Sequence, residues 1–190
     1  KVSYPLSNNI CILLMDIFEN RRNTNKKMQE KIIMEILVCI KQVPDDSVEI
    51  SLDESTGKPA LDGVTPVVNA FDTYAEEMAV RLKEAVAESE VTVVSIGDDS
   101  VKNSLKNCLA VGADHAYLVK CDGAENLDGA AVAKVLAKAK ADIEAAEGKT
   151  FDLIFCGKES TDYAASQTGL LLAAELNVPA VANVVAVETA

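Results

Sequence analysis

Apolar, β-branched runs that alternate with helical stripes along residues 34–190 predict an α/β domain with a doubly wound, mostly parallel sheet. Two observations carry this reading. Ile36-Leu37-Val38-Cys39-Ile40, Val91-Thr92-Val93-Val94-Ser95-Ile96 and Phe151-Asp152-Leu153-Ile154-Phe155-Cys156 are nearly continuous in apolar residues, as strands buried on both faces require. The segments between them instead repeat apolar residues every three to four positions, the period of a helix with one buried face.

In chain order, the first run ends at Pro44-Asp45-Asp46. Val48-Glu49-Ile50-Ser51-Leu52 alternates with period two, and turn chemistry around Gly57 predicts a short β-hairpin inserted after the first strand and extending to Leu61. Asn69-Ala70-Phe71-Asp72 opens a helix capped by Asp72 or Thr73, with Ala75, Met78, Ala79, Leu82 and Val86 as its stripe. After the second main strand, a turn at 97–100 leads into a helix with Val101, Leu105, Cys108 and Leu109 on one face, and Gly112 suits the position just beyond it. Residues 115–119 read as a short strand and 128–146 as an alanine-rich helix of high propensity. A helix over 165–177 and a strand at 184–187 complete the pattern.

Composition narrows the function. The net charge of −12 makes nucleic acid and anionic membranes poor partners, and 4% aromatic residues without tryptophan leave no stacking platform for single strands. No apolar run approaches the ~18 residues of a membrane span. The five cysteines show no close paired spacing and His115 is the sole imidazole, a poor basis for a zinc site. Isolated buried cysteines fit a reducing cytoplasm, the expected location.

Residues 1–33 differ in kind. They are rich in asparagine, lack a periodic face, and carry six Lys or Arg against three Asp or Glu, so +3, which leaves −15 for the remainder. The apolar stretch at 10–15 is too short for a signal-peptide core with a proper cleavage site. Gln29-Glu30-Lys31 can be encoded by codons containing AGGAG, a ribosome-binding sequence shortly before a start codon at Met34. Residues 1–33 are therefore expected to be a translated upstream leader or disordered extension, removable without effect on folding or ligand binding. Residues 34–190 are expected to be a nucleotide-binding domain truncated at its carboxyl terminus, because the chain stops amid strand-like sequence.

The most informative segment is Gly157-Lys158-Glu159-Ser160-Thr161-Asp162-Tyr163-Ala164-Ala165-Ser166-Gln167-Thr168, between an apolar strand and a helical pattern. A strand–loop–helix junction leaves backbone N–H groups aimed above the strand's carboxyl end, and small or hydroxylated residues let a phosphate approach. Spacing alone leaves an ordinary capped turn, with Ser166 as the cap, equally open, since no Gly-rich fingerprint or P-loop is present. Lys158 offers a cationic contact or is a solvated loop lysine. Asp162 accepts from a ribose hydroxyl or caps the turn. Cys39 and Cys156 lie near the ends of neighbouring strands and read as small hydrophobes rather than a redox pair. No residue is a convincing general acid, base or nucleophile, which favours a carrier over a hydrolase.

At this point the residues resemble a known family. Met34-Glu35-Ile36-Leu37-Val38-Cys39-Ile40-Lys41-Gln42-Val43-Pro44 is similar to the amino terminus of the beta (small) subunit of electron-transfer flavoproteins. Four further blocks agree in order and spacing: Asp62-Gly63-Val64 with Asn69-Ala70-Phe71-Asp72; Ala79-Val80-Arg81-Leu82-Lys83-Glu84; Leu109-Ala110-Val111-Gly112-Ala113-Asp114; and Gly157-Lys158 followed by Gln167-Thr168-Gly169. The resemblance covers Met34 onward and leaves out residues 1–33.

The resemblance implies a Rossmann-like sheet of the adenine-nucleotide-binding type and an alpha (large) subunit as partner. The pair would carry electrons between dehydrogenases, of the acyl-CoA type or another, and an acceptor. FAD would be shared with or held mainly by the alpha subunit, and this subunit would hold AMP or, in bifurcating forms that use NADH, a second FAD. Nucleotide contacts would fall on Cys39, on Asn69, Ala70, Phe71 and Asp72, on Ile96, and on each residue from Gly157 through Thr168. Ala70 stands where the family often has proline, and Thr161, Tyr163 and Ala164 depart from a loop that is commonly more acidic, so AMP and FAD both stay open. The partner-wrapping segment and the loop that docks onto dehydrogenases would lie beyond Ala190. A stand-alone adenine-nucleotide sensor of the stress-protein type is the alternative. An ATP-cleaving ligase is disfavoured because Lys41-Gln42-Val43-Pro44 occupies the place of its phosphate loop.

Overall fold

The computed structural model describes residues 10–14, 34–86 and 88–188. Its elements are β1 (Ile10–Leu14), β2 (Glu35–Cys39), β3 (Gln42–Pro44), β4 (Leu52–Asp53), β5 (Lys58–Pro59), β6 (Pro66–Val68), α1 (Ala70–Ala85), β7 (Glu90–Gly97), α2 (Val101–Val111), β8 (His115–Lys120), α3 (Gly129–Glu147), β9 (Leu153–Gly157), α4 (Thr168–Leu176) and β10 (Ala180–Val184). Six strands form one sheet in the order β10-β1-β9-β2-β7-β8. The neighbours β9-β2, β2-β7 and β7-β8 are parallel, and β1 runs antiparallel to both β9 and β10.

The fold is α/β with a mixed, mainly parallel sheet between two helical layers, as the alternating pattern requires. From β2 the chain builds outward through β7 and β8 on one side, then returns to place β9 on the other, so the order reverses between β2 and β9. Side chains sort by parity. Ile36, Val38, Val91, Val93 and Phe155 pack with Ala75, Met78 and Leu82 of α1 and Val101 and Leu105 of α2. Leu37, Cys39, Val94, Ile154 and Cys156 pack with Leu136 and Ile143 of α3 and Leu172 of α4. Burial on both faces explains why these strands lack polar alternation.

Several expected boundaries shift. The helix predicted from 165 begins at Thr168, because Ala164 and Ser166 have φ of +50° and +53°, a conformation no α-helix contains. The closing strand is Ala180–Val184 rather than 184–187. Leu109 faces outward, 41% exposed, and leaves the α2 stripe to Val101, Leu105 and Cys108. The cap of α1 is Asn69, not Asp72 or Thr73. The alternating segment 48–52 has no face to bury: Val48, Ile50 and Leu52 are exposed, and only Leu52–Asp53 pairs with Lys58–Pro59. A second, larger hairpin, β3 with β6, closes the base of this insertion.

The largest correction concerns the amino terminus. Residues 10–14, expected to lie outside the fold, form a strand within the sheet, where Ile10, Cys11, Ile12 and Leu13 are all buried. Ile10 and Ile12 join the α1/α2 core, and Cys11 and Leu13 the α3/α4 core. A five-residue apolar run is too short for its period to declare a face, and its partners lie about 140 to 170 residues away, so only tertiary pairing reveals it. The rest of the expected leader, 1–9 and 15–33, lies outside the described residues.

Candidate functional site

The strand order reverses between β2 and β9, and beyond the carboxyl ends of the parallel strands at such a reversal open α/β sheets bind ligands. Cys39 ends β2 and is in register with Cys156 of β9; Ile96 lies toward the end of β7, on the other side of β2. The loop from Gly157, the start of α1 and the start of α4 surround this end of the sheet.

Two side chains from the start of α1 hold the loop. Asn69, 1% exposed, donates from Nδ2 to the Glu159 carbonyl at 2.8 Å and accepts at Oδ1 from the Thr161 N–H at 3.1 Å. Its own N–H donates to the Lys41 carbonyl at 2.9 Å. Asp72 accepts the Lys41 N–H at Oδ2, 2.8 Å, and the Gly157 N–H at Oδ1, 3.0 Å, so one carboxyl joins the carboxyl ends of β2 and β9 across the reversal. Burial pushes the Asp72 carboxyl up to about 7, against the bonds from Lys41, Asn69 and Gly157. Both side chains position the frame: Asn69 holds the loop and Asp72 holds the ends of the two strands.

Gly157 is required by close approach. A Cβ there would lie 2.2 Å from Asp72 Oδ1 and 2.9 Å from the Phe71 carbonyl carbon, and neither the buried carboxyl nor the backbone has room to retreat. Gly157→Ala is expected to lower stability by about 1–3 kcal/mol in urea denaturation, the usual cost of overpacking a tight site.

Above this frame, Lys41 Nζ pairs with the Asp162 carboxylate at 2.7 Å and approaches Ser160 Oγ at 3.4 Å. Burial opposes ionisation of Asp162, but the bonds from Lys41 and Ser160 hold its carboxyl below the usual range. Ser166 is not the cap of α4: its Oγ donates to Glu159. Gln167 occupies the cap position without a capping side-chain bond. The first N–H groups of α4, including that of half-buried Thr168, thus have no side-chain acceptor from the capping residue, and the helix dipole adds positive potential. Lys158, Tyr163, Ala164, Ala165, Ser166 and Gln167 line the exposed part of the loop, with Tyr163 81% exposed; Ala70 is exposed at the first turn of α1 and Phe71 half-buried beside it.

The predicted residues therefore converge on one end of the sheet. Lys41 was absent from them, although its place just past the first strand at the reversal was the available signal. The bond with Cys39, burial and the neighbouring charges raise Cys156 well above the ordinary thiol range, and burial raises Cys11 to about 11, which disfavours the thiolate at both positions. A separate concavity of about 430 Å³ lies between β8 and α3, walled by Tyr117, Val119, Val135 and Ile143, away from the uncapped amides.

Comparison with known proteins finds similarity to electron transfer flavoproteins. The electron transfer flavoprotein domain family matches residues 60–190. The chain is 40% identical over 151 residues to the electron transfer flavoprotein subunit beta of Megasphaera elsdenii, covering 77% of this chain and 54% of that protein. It is 38% identical over 155 residues to the corresponding subunit of Thermoanaerobacterium thermosaccharolyticum, with 82% and 56% covered. It is 34% identical over 151 residues to the caffeyl-CoA reductase–Etf complex subunit CarD of Acetobacterium woodii, with 80% and 55% covered. The chain spans about half the length of these curated relatives.

Proposed function

The chain belongs to the electron transfer flavoprotein family, and from that premise we propose that it acts as the beta subunit of a heterodimeric electron carrier, holding an adenine nucleotide at the sheet reversal. The observation that carries the nucleotide reading is the uncapped start of α4 beside a loop pinned by Asn69. A phosphate at Thr168 would meet fixed N–H donors and the positive end of the helix, each such contact worth about 0.3–1 kcal/mol, so an acidic protein can still hold an anion. Gly157 lets the start of α1 close against the end of β9 beneath the loop, and the free amides and small residues above it fit the phosphate of AMP or of the AMP half of FAD.

When bound, flavin supplies the electron chemistry of such a carrier. The residues of this chain bind, orient and shield; none is assigned a proton transfer or a covalent step. An alpha subunit is the proposed partner, and acyl-CoA-type dehydrogenases or reductases the proposed redox partners, in keeping with the name of the CarD relative. No helix among the described residues is long and apolar enough to cross a membrane, which is compatible with the proposed cytoplasmic site of action.

Denaturing the purified complex and identifying the released nucleotides tests this reading. One flavin per heterodimer together with one AMP is the result expected of a simple carrier, and two FAD that of a bifurcating one. Complete absence of adenine nucleotide, with no binding of AMP or FAD on titration, would overturn the proposal. A full-length protein that binds AMP as a partnerless homo-oligomer would favour the sensor.

A further inference from the structure

We propose that the strand Ile10–Leu14 is a positioning element of the candidate nucleotide site, filling an antiparallel slot in the sheet and thereby setting the Gly157 loop and the start of α4. The inference rests on the nucleotide reading above for its consequence in binding, and on geometry alone for its consequence in structure.

The topology makes the slot explicit. Because β9 and β10 are each antiparallel to β1, they are parallel to one another and one strand apart, although α4 connects them directly. A strand spacing of roughly 4.8 Å on either side leaves room for one extended chain, flanked by two rows of backbone groups that need partners. β1 satisfies both rows. All five of its residues are in register with β9, from Ile10↔Gly157 to Leu14↔Leu153. Ile10, Ile12 and Leu13 pair with β10, and the Leu14 N–H donates to the Pro179 carbonyl at 3.0 Å.

The strand reaches the candidate site at two points. Ile10 is the partner of Gly157, the residue at which β9 becomes the loop and whose N–H also binds Asp72. Cys11 is the partner of Cys156 and lies directly beneath α4: a Cβ on Gly169 would come within 3.1 Å of both Cβ and Sγ of Cys11. The second residue of α4 therefore rests on β1, and the helix amides assigned to the phosphate take their height and direction from that contact. Asn69 and Asp72 hold the loop from the α1 side, and β1 holds it from the other. Removing β1 would leave the inner edge of β9 unpaired beneath the loop, and α4 without its support.

The test uses the 190-residue chain and its Ile12→Pro and Leu13→Ala variants. Proline in an interior strand removes a donor and clashes with the ladder, and Leu13→Ala opens a cavity at a side chain that is 0% exposed while sparing the backbone. Hydrogen exchange is read at Cys156, Gly157, Gly169 and Leu172, with β7 and β8 amides as the internal reference, and AMP and FAD affinities are measured by titration. The expected result is a loss of protection of tenfold or more in β9 and the first turns of α4, unchanged protection in β7 and β8, and at least tenfold weaker nucleotide binding for Ile12→Pro. Leu13→Ala is expected to show the same local pattern to a smaller degree, and it decides the matter if the proline variant does not fold. Wild-type protection of β9 and α4 in a folded variant overturns the proposal, as does loss spread evenly over β7 and β8. If the unaltered chain binds neither nucleotide, the exchange pattern still decides the structural role, while the nucleotide reading fails separately.

Discussion

Thr168→Glu is expected to weaken the proposed adenine-nucleotide binding by well over tenfold, and Lys102→Glu to leave it unchanged. Thr168 opens α4, half-buried, at the amides that would receive the phosphate. A glutamate there places a carboxylate beside the phosphate and fills the volume it needs. Two unit charges ~4 Å apart at an effective dielectric near 20 repel by about 4 kcal/mol, so even with more than half of that screened the loss exceeds tenfold. Lys102 sits on α2, where it pairs with Asp99 through an exposed, solvent-screened contact. Titration of AMP and FAD into both variants, each assembled with its alpha partner, checks this. Equal affinities would move the nucleotide away from the loop between β9 and α4.

Asp72→Asn is expected to destabilise the fold by about 1–3 kcal/mol and to loosen the site. The carboxyl accepts one N–H from each side of the sheet reversal, Lys41 and Gly157. An asparagine has a single acceptor oxygen, so one buried N–H would face an NH2 group and lose its partner, at the cost usual for an unsatisfied donor. The pH dependence has a definite sign. Because burial raises the folded Asp72 carboxyl to about 7 while an unfolded aspartate titrates near its ordinary value of 3.8, the unfolded chain releases this proton first. The Asp72 contribution is therefore fully present below about pH 4 and declines as pH rises toward 7. Urea denaturation should find Asp72→Asn more costly at pH 5 than at pH 8; the reverse order would mean that the carboxyl is ionised throughout that range. Weaker AMP binding by Asp72→Asn, beyond what the stability loss explains, would show that the frame sets the loop.

Much of the site was legible before the fold because its signals are local. The residues 157–168 read as a strand-to-helix loop from their own composition, and Gly157 and Thr168 stand at its two ends in the structure. Asn69 enters as a candidate contact through the family resemblance, and its neighbours in the chain do not disclose its bonds. Its two bonds cross to Glu159 and Thr161, some 90 positions away. Asp72 reads as a cap from its place early in a helix and as a ligand contact from the resemblance, whereas the fold turns it inward to hold two strands. Ser166 had every local property of a cap and lost that role to backbone geometry, since its positive φ keeps the helix from starting there. Lys41 is missing from the candidate contacts because its pairing with Asp162 depends on which strand lies beside its own.

From its sequence alone this chain determined its class: three buried apolar runs, Ile36–Ile40 among them, separated by amphipathic helices, can satisfy their backbone and bury both faces only as a mainly parallel sheet between helical layers. Period and propensity act over a few residues, so they are written in the chain. Only the tertiary structure decided that β9 lies beside β2, that one buried carboxyl ties their ends together, and that Ile10–Leu14 is a strand of the sheet. A five-residue apolar run has no periodicity long enough to declare its partner, and strand pairing is settled by unpaired backbone groups and core volume across the whole chain, which no local window contains.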